Sequence, residues 1–332
     1  RKRFHDDYFS FIGQIEVGFA NKPWADAFFI SGSYSKVNKE LQTGSVQSKV
    51  YGMAERKSDA WNISARYKKN DFLLKNMQLN ISLSHTWDHS LTTDTAYRKY
   101  DWNGDYIESS RNEITGRGRS IRHYKRPLVI GRINLDYRLS NHHSFNLNYL
   151  LSRTGNNRYD EMDEDFEASN DILAKHISSF SYNQSFFSGR MNNTFFIKDY
   201  INHLNIQQTD LPTITGSKNI NGSITKNYWG YGTGSRFTII EPFSLKFSYE
   251  HSVRLPLARE LLGNGSTIYA NVALNPEKSN NVNLGIFGTW HPAPGHTLYY
   301  EANGFLRYVD DFIQEKEVAN PETEETTTRT EE

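Results

Sequence analysis

The chain has 332 residues, and its 38 Lys+Arg are matched by 38 Asp+Glu, so no bulk field selects nucleic acid or an acidic substrate. Hydrophobic residues make up 37%, mean hydropathy is -0.70, and no apolar run approaches the roughly 18 residues of a spanning helix, which excludes a helical membrane protein. Cysteine is absent, which removes disulfides, thiolate nucleophiles and Cys-based metal sites together.

Aromatic residues nonetheless reach 14%. A polar chain rich in rings has the composition of a transmembrane barrel, where every second residue faces a wet interior and rings gather at the two interfaces. The opening Arg1-Lys2-Arg3-Phe4-His5-Asp6 lacks the apolar core of a signal peptide. An outer-membrane protein must be exported, so the true N-terminus is expected upstream, with this chain beginning mid-protein.

Along the chain the dominant signal is alternation with period two, which marks strands whose two faces meet different solvents. Met77, Leu79, Ile81 and Leu83 alternate with Gln78, Asn80, Ser82 and Ser84. Val129, Gly131, Ile133, Leu135 and Tyr137 alternate with Arg132, Asn134, Asp136 and Arg138. Phe145, Leu147, Tyr149 and Leu151 repeat the scheme, as do Phe243, Leu245, Phe247 and Tyr249, and then Leu298, Tyr300, Ala302, Gly304 and Leu306. Glycines 230, 232 and 234 fall on the polar side of such a strand, which is not a phosphate loop. About twelve strands are expected, each near the roughly ten residues that a tilted membrane strand requires.

Connections alternate too. Short turns are expected near 21–26, 69–76, 140–143, 187–190, 240–242 and 291–296, and long polar loops over 38–58, 89–126, 154–174, 205–226 and 254–280. Short periplasmic turns alternating with long extracellular loops characterise bacterial outer-membrane barrels. A soluble β-sandwich is the competing architecture, and no four-strand blade repeat supports a propeller. Residues 257–262 have room for one helical turn. The expected fold is all-β: an antiparallel up-and-down transmembrane β-barrel over 1–314, present as a partial barrel, with 315–332 a polar disordered or loop tail.

Late in the chain, S-V-R-L-P-L-A-R-E-L-L begins at Ser252 and is followed by N-V-A-L-N-P-E-K-S-N-N-V-N-L-G. Arg254, Pro256, Glu260, Leu261, Asn271, Leu274, Pro276, Glu277, Ser279 and Gly285 resemble an ordered motif late in the barrels of TonB-dependent outer-membrane receptors. The resemblance covers about 243–314. Read from the residues alone, Pro256 ends a strand, Gly263, Asn264 and Gly265 permit a reversal, and Glu277 and Ser279 can satisfy loop backbone donors. The motif is therefore expected to build a structured loop, without catalytic or ligand residues. The resemblance implies an N-terminal plug, a segment that meets TonB, and a 22-stranded barrel. On that layout this chain is an internal fragment without plug or closing strands, leaving open edges near 9–19 and 298–309.

Other charged and histidine constellations compete with plain solvation. Asp160, Glu161, Asp163, Glu164, Asp165 and Glu167 lack the glycine and spacing of an EF-hand and read as a solvated loop. Arg117, Arg119, Arg122, Lys125 and Arg126 form a candidate anion-contacting loop, facing lipopolysaccharide phosphates or an anionic ligand such as a ferric chelate. His142 and His143 are adjacent, so their rings should point apart, and no histidine pair has metal-ligand spacing. No catalytic motif is present, and no metal or cofactor is expected.

The expected function is ligand capture by extracellular loops and uptake into the periplasm at the bacterial outer membrane. The partners are the TonB complex, outer-membrane lipid and lipopolysaccharide, and a small ligand such as a siderophore, haem, cobalamin, peptide or glycan; nucleic acid is not among them. A non-energised porin or assembly barrel, or a barrel enzyme with a rim active site, is the alternative.

Overall fold

The computed structural model describes residues 3–44, 47, 49–164, 166, 168–213, 216–240, 242–263, 268–269, 271–320 and 325–331, with backbone only for 208–221, 268–269 and 315–331. One sheet dominates. Its strands are β1 (Tyr8–Lys22), β2 (Ala25–Glu40), β3 (Glu55–Lys69), β4 (Met77–Asp94), β7 (Ser120–Lys125), β8 (Leu128–Arg138), β9 (His143–Asp160), β10 (Ser169–Phe186), β11 (Met191–Thr213), β12 (Gly216–Ile240), β13 (Phe243–Arg254), β15 (Glu277–Ala293) and β16 (His296–Asp310). Between them lie β5 (Arg98–Tyr100), β6 (Tyr106–Glu108), α1 (Ala258–Leu262) and β14 (Ile268–Tyr269), followed by β17 (Gln314–Asn320) and β18 (Glu325–Glu331).

Sequential neighbours pair antiparallel from β1 to β16. β7 and β8 both bridge β4 to β9 and are two halves of one stave, parted at Arg126-Pro127. Proline has no N–H for the ladder, so the stave breaks there. The wall therefore has twelve staves, as the alternation predicts. β1 and β16 stand at its two ends, and no ladder joins them among the described residues.

Register shows why the alternation arises. Val17 lies opposite Ile30, Ile30 opposite Ala65, and Ala65 opposite Leu83; Leu83 then meets Gly131, and Gly131 meets Leu151. Further on, Phe237 meets Leu245, Leu245 meets Ile286, and Ile286 meets Ala302. This face is apolar yet open to its surroundings: Ile15, Ile63, Leu83, Phe195 and Leu284 are 70%, 54%, 53%, 46% and 60% exposed. A contiguous apolar surface of that size is untenable in water and suits hydrocarbon. The opposite face carries Arg66 with Glu16 (2.7 Å), Lys198 with Glu250 (2.8 Å) and Lys246 with Glu301. Glycines 230, 232 and 234 face the same side as Lys198, Glu250 and Ser248.

All six expected turns are short, and they close one end of the wall. Asn21, Asp71 and Asn76 take left-handed backbone there, at φ 56°, 48° and 63°. At the other end two expectations need correction. Residues 154–174 and 205–226, expected as long loops, are largely the hairpins β9–β10 and β11–β12, with strands of up to 25 residues. Beyond the bilayer both faces of a strand meet water, so hydrophobic alternation fades while backbone pairing continues. Within the expected polar tail, the backbone of β17 pairs with β18, and β18 pairs in parallel with β14.

Candidate functional site

Residues 255–263 and 271–276 fold back against the polar face at the long-loop end. Their single helical turn, α1, places Leu261 and Leu262 in a cluster with Leu274, Ile313, and Leu173, Leu204 and Ile206 of the wall. Pro256 and Pro276 are fully buried on either side. Glu260 organises the turn: Oε1 and Oε2 accept from Arg254 Nη2 (2.6 Å) and Nη1 (3.3 Å), and Oε2 also accepts from Leu257 N (2.7 Å). Glu277 accepts from Ile313 N (3.0 Å), tying the strand after the loop to the end of the wall. Lys175 of β10 donates to the Pro256 carbonyl.

Other motif residues serve the same scaffold. Asn271 Oδ1 accepts from Ala273 N (3.2 Å), and Ser279 Oγ meets Ser252 Oγ at 2.8 Å. A Cβ at Gly285 would lie 2.2 Å from Asn303 Oδ1 and 2.7 Å from Lys246 Cε. The glycine thus leaves room for the Lys246–Glu301 pair on the polar face. Asn264 and Gly265 lie outside the described residues.

The structure divides the candidate anion loop. Arg117 and Arg119 are exposed, Arg119 lying over the Tyr97 ring at 5.1 Å. Lys125 stays on the outer side of the wall and lies over Tyr159 at 5.2 Å. Arg122 and Arg126 turn to the polar face. There Arg122 is 6% exposed, pairs with Asp160 at 3.3 Å and covers the Phe166 ring at 4.2 Å. Asp160 also accepts from the backbone N–H of Ile121, Met162 and Asp163, so this member of the acidic run is a structural clasp. Asp165 and Glu167 lie outside the described residues.

Residues that sequence spacing does not bring together complete the polar site. Arg158 of β9 lies opposite Tyr124 of β7, and Arg56 of β3 lies opposite Thr92 of β4. The Tyr124 hydroxyl is buried without a hydrogen-bond partner among the described residues. Burial pushes its proton affinity up, and Arg122, Arg158, Arg126 and Arg56 act on it in the opposite direction. Burial also lowers Arg126 and Arg158 from the usual guanidinium range.

On the other side of the same stave, Asp59 Oδ1 lies 3.4 Å from His89 Nδ1, His89 Nε2 lies 2.9 Å from His123 Nδ1, and His123 Nε2 lies 2.7 Å from Glu161 Oε1. These four link β3, β4, β7 and the segment after β9. His142 and His143 point apart, with rings at 71° to each other and separate partners in the Ser185 carbonyl and the Tyr182 hydroxyl. Among the described residues no group of three or more His, Cys, Asp or Glu side chains is arranged to hold a metal ion.

A family model described as "TonB dependent receptor-like, beta-barrel" matches residues 5–330. No curated protein matches the chain. Among solved structures, the chain is similar to the copper transporter OprC, at TM-score 0.72 and 12% identity, covering 98% of this chain and 48% of that one. It is similar to the FrpB iron transporter of Neisseria meningitidis at TM-score 0.63 and 13% identity, covering 98% and 48%. A third likeness is to a double mutant of the Serratia marcescens hemophore receptor HasR, solved with its hemophore HasA and heme, at TM-score 0.60 and 14% identity, covering 98% and 50%. At such identities the likeness speaks to the fold alone, and the chain spans about half the length of these structures. The family match accounts for the apolar outer face, the polar inner face and the inward-folded late loop in one architecture, that of a bacterial outer-membrane barrel and not of an enzyme. The chain belongs to the TonB-dependent receptor-like β-barrel family.

Proposed function

We propose that this chain forms part of the wall of an energised outer-membrane receptor. The long connections capture a scarce ligand, the polar face lines its path, and TonB supplies the pull that passes it to the periplasm. The observation that carries this reading is the coincidence, at the long-loop end, of the inward-folded 255–276 segment with a polar, arginine-rich inner wall. A non-selective pore needs no such ordered loop packed against its lining.

The solved structures named above transport copper, transport iron, or hold a hemophore with heme, which makes a metal or metal chelate the first cargo class to test. Lys125 would meet lipopolysaccharide phosphates, a contact its outward position toward the long-loop end supports. Both edges of the wall, β1 and β16, must be paired for it to rest in a bilayer, since each orphan backbone group there costs several kcal/mol.

The test is accumulation of radiolabelled iron, copper and haem in cells with and without the full-length protein, each with and without functional TonB. The reading expects one cargo whose uptake needs both. Uptake that needs the protein but survives loss of TonB would replace it with the non-energised barrel.

A further inference from the structure

At the long-loop end of the inner wall three arginines, Arg158 buried, Arg126 half-buried and Arg56 exposed, have only neutral hydrogen-bond acceptors among the described residues. Arg56 Nε donates to Thr92 Oγ1 at 3.2 Å, Arg126 Nε to Asn156 Oδ1 at 3.2 Å, and Arg126 Nη2 to the Gly263 carbonyl at 3.1 Å. Arg158 Nε donates to Ser169 Oγ at 2.8 Å. Every one of these acceptors is neutral. Among the described residues none of the three guanidinium groups has a carboxylate oxygen within 4.0 Å. Asp88 and Asp171 act on Arg126 and Arg158 only from longer range. Asp171 is itself occupied by Gln207 N at 3.0 Å and Asn156 Nδ2 at 3.4 Å. The two close carboxylates, Asp160 and Asp163, belong to Arg122.

Arg158 is 7% exposed, so its charge is held largely out of water. A buried cation without a counter-ion is costly, and the cost is removed by an anion that arrives with the ligand. Beside it, the Tyr124 hydroxyl is buried with nothing to donate to among the described residues. A phenol is a neutral donor, and guanidinium groups are planar forks matched to carboxylate and phosphate oxygens. All four residues lie on the inner face, nearer the long loops than the paired outer-face rings of Trp61 and Trp87.

We infer that Tyr124, Arg126 and Arg158, with Arg56 at their margin, form an oxyanion-binding site on the inner wall, taking the carboxylate or phosphate group of a ligand that enters from outside. This deepens the receptor reading and rests on its claim that the polar face lines the ligand path. The wall of the site is rigid: Tyr124 and Arg158 are cross-strand partners, and Arg126 is fixed by the break at Pro127 and by the Gly263 carbonyl of the inward loop. Filling it would therefore report directly to that loop.

The test is calorimetric titration of the full-length protein with citrate and, separately, with inorganic phosphate, at two salt concentrations. Binding of citrate alone assigns the site to carboxylates, and binding of phosphate alone assigns it to phosphates. Either should weaken at least about tenfold in Arg158→Gln and in Arg126→Gln, the loss expected of one charge-assisted hydrogen bond. Tyr124→Phe gives the control for folding. It should weaken the anion while raising the unfolding temperature of the free protein, because it deletes a buried group that has no partner. No binding of either anion, or binding unchanged in the three variants, would overturn the inference; a carboxylate from elsewhere in the full-length protein filling the site would produce the first of these. If TonB-dependent uptake persists while the titrations are blank, only the oxyanion site falls. If the titrations succeed while uptake does not need TonB, the receptor reading falls instead.

Discussion

Arg254 and Glu260 face each other as a two-pronged pair, Nη2 to Oε1 at 2.6 Å and Nη1 to Oε2 at 3.3 Å, across the turn where the last loop bends inward. Glu260 is 4% exposed and Arg254 keeps one side in solvent, so the pair is half-screened. Its second role is to hold Leu257 N, which starts α1 and aims Leu261 and Leu262 at the wall.

Removing that carboxylate should release the loop. Glu260→Ala leaves the Leu257 N–H and the Arg254 fork without their acceptor, and is expected to cost about 1–3 kcal/mol of local stability, discounted for the exposed arginine. Hydrogen exchange over residues 255–276 in the full-length protein should rise while exchange in β4 and β8 is unchanged. Unaltered exchange in the loop would mean that the leucine cluster alone holds it.

The two faces of the wall should respond oppositely to charge. Leu135 lies on the face shared with Leu79 and Leu147, and Asn134 on the face shared with Asn80 and Asn148. Leu135→Arg and Leu245→Arg are expected to cost roughly 2–4 kcal/mol near the bilayer midplane and to lower the yield of inserted protein. Asn134→Arg and Ser248→Arg should insert normally. Equal loss from both members of a pair would contradict the face assignment.

The connection after β4 carries a pH signature. Asp94 accepts from Glu113 N (3.0 Å) and Ile114 N (2.8 Å), while Glu113 Oε2 accepts from Gly52, Met53 and Ala54 N at 3.0–3.1 Å and so fastens the neighbouring loop. Burial pushes the Asp94 carboxyl up to about 6, against the pull of its backbone donors. An acid raised in the docked loop binds its proton more tightly there than in the open loop. Docking is therefore strongest near the ordinary value of 3.8 and weakens as pH rises to about 6, with no further loss above. Hydrogen exchange of residues 95–119, corrected for intrinsic rate, should rise across that window, and Asp94→Asn should flatten the profile. A flat wild-type profile would refute it.

Much of this architecture was legible in the residues, because a strand between lipid and water must alternate. Leu135 against Asn134 and Leu245 against Lys246 announce their faces without help from the fold. Strand length above the bilayer was not legible, since the outer side of the paired stretch at residues 205–208 and 220–223 is polar throughout, with Asn205, Gln207, Asn221 and Ser223. Nor was the oxyanion site. Tyr124 and Arg158 are far apart in sequence and meet only through the β7–β9 register, and no local spacing encodes a register. The arginine run was visible, but its division between the inner face, the outer face and the exposed loop follows from the stave broken at Pro127. Asp199 remains on the apolar face opposite Ser178 and Trp229, with Oδ1 unpartnered among the described residues, and nothing in the structure explains it.

The central claim, that this sheet is the wall of a membrane barrel with one face in lipid and the other lining a wet path, has a direct test. The chain has no cysteine, so single nitroxide labels can be placed at 133–137 and 245–249 of the full-length protein in a lipid bilayer. Collision with dissolved oxygen reports lipid, and collision with a water-soluble nickel chelate reports the aqueous interior. The account predicts oxygen maxima at Ile133, Leu135, Tyr137, Leu245, Phe247 and Tyr249, and nickel maxima at Asn134, Asp136, Lys246 and Ser248. Low access to both reagents throughout, or access without a two-residue period, would contradict it.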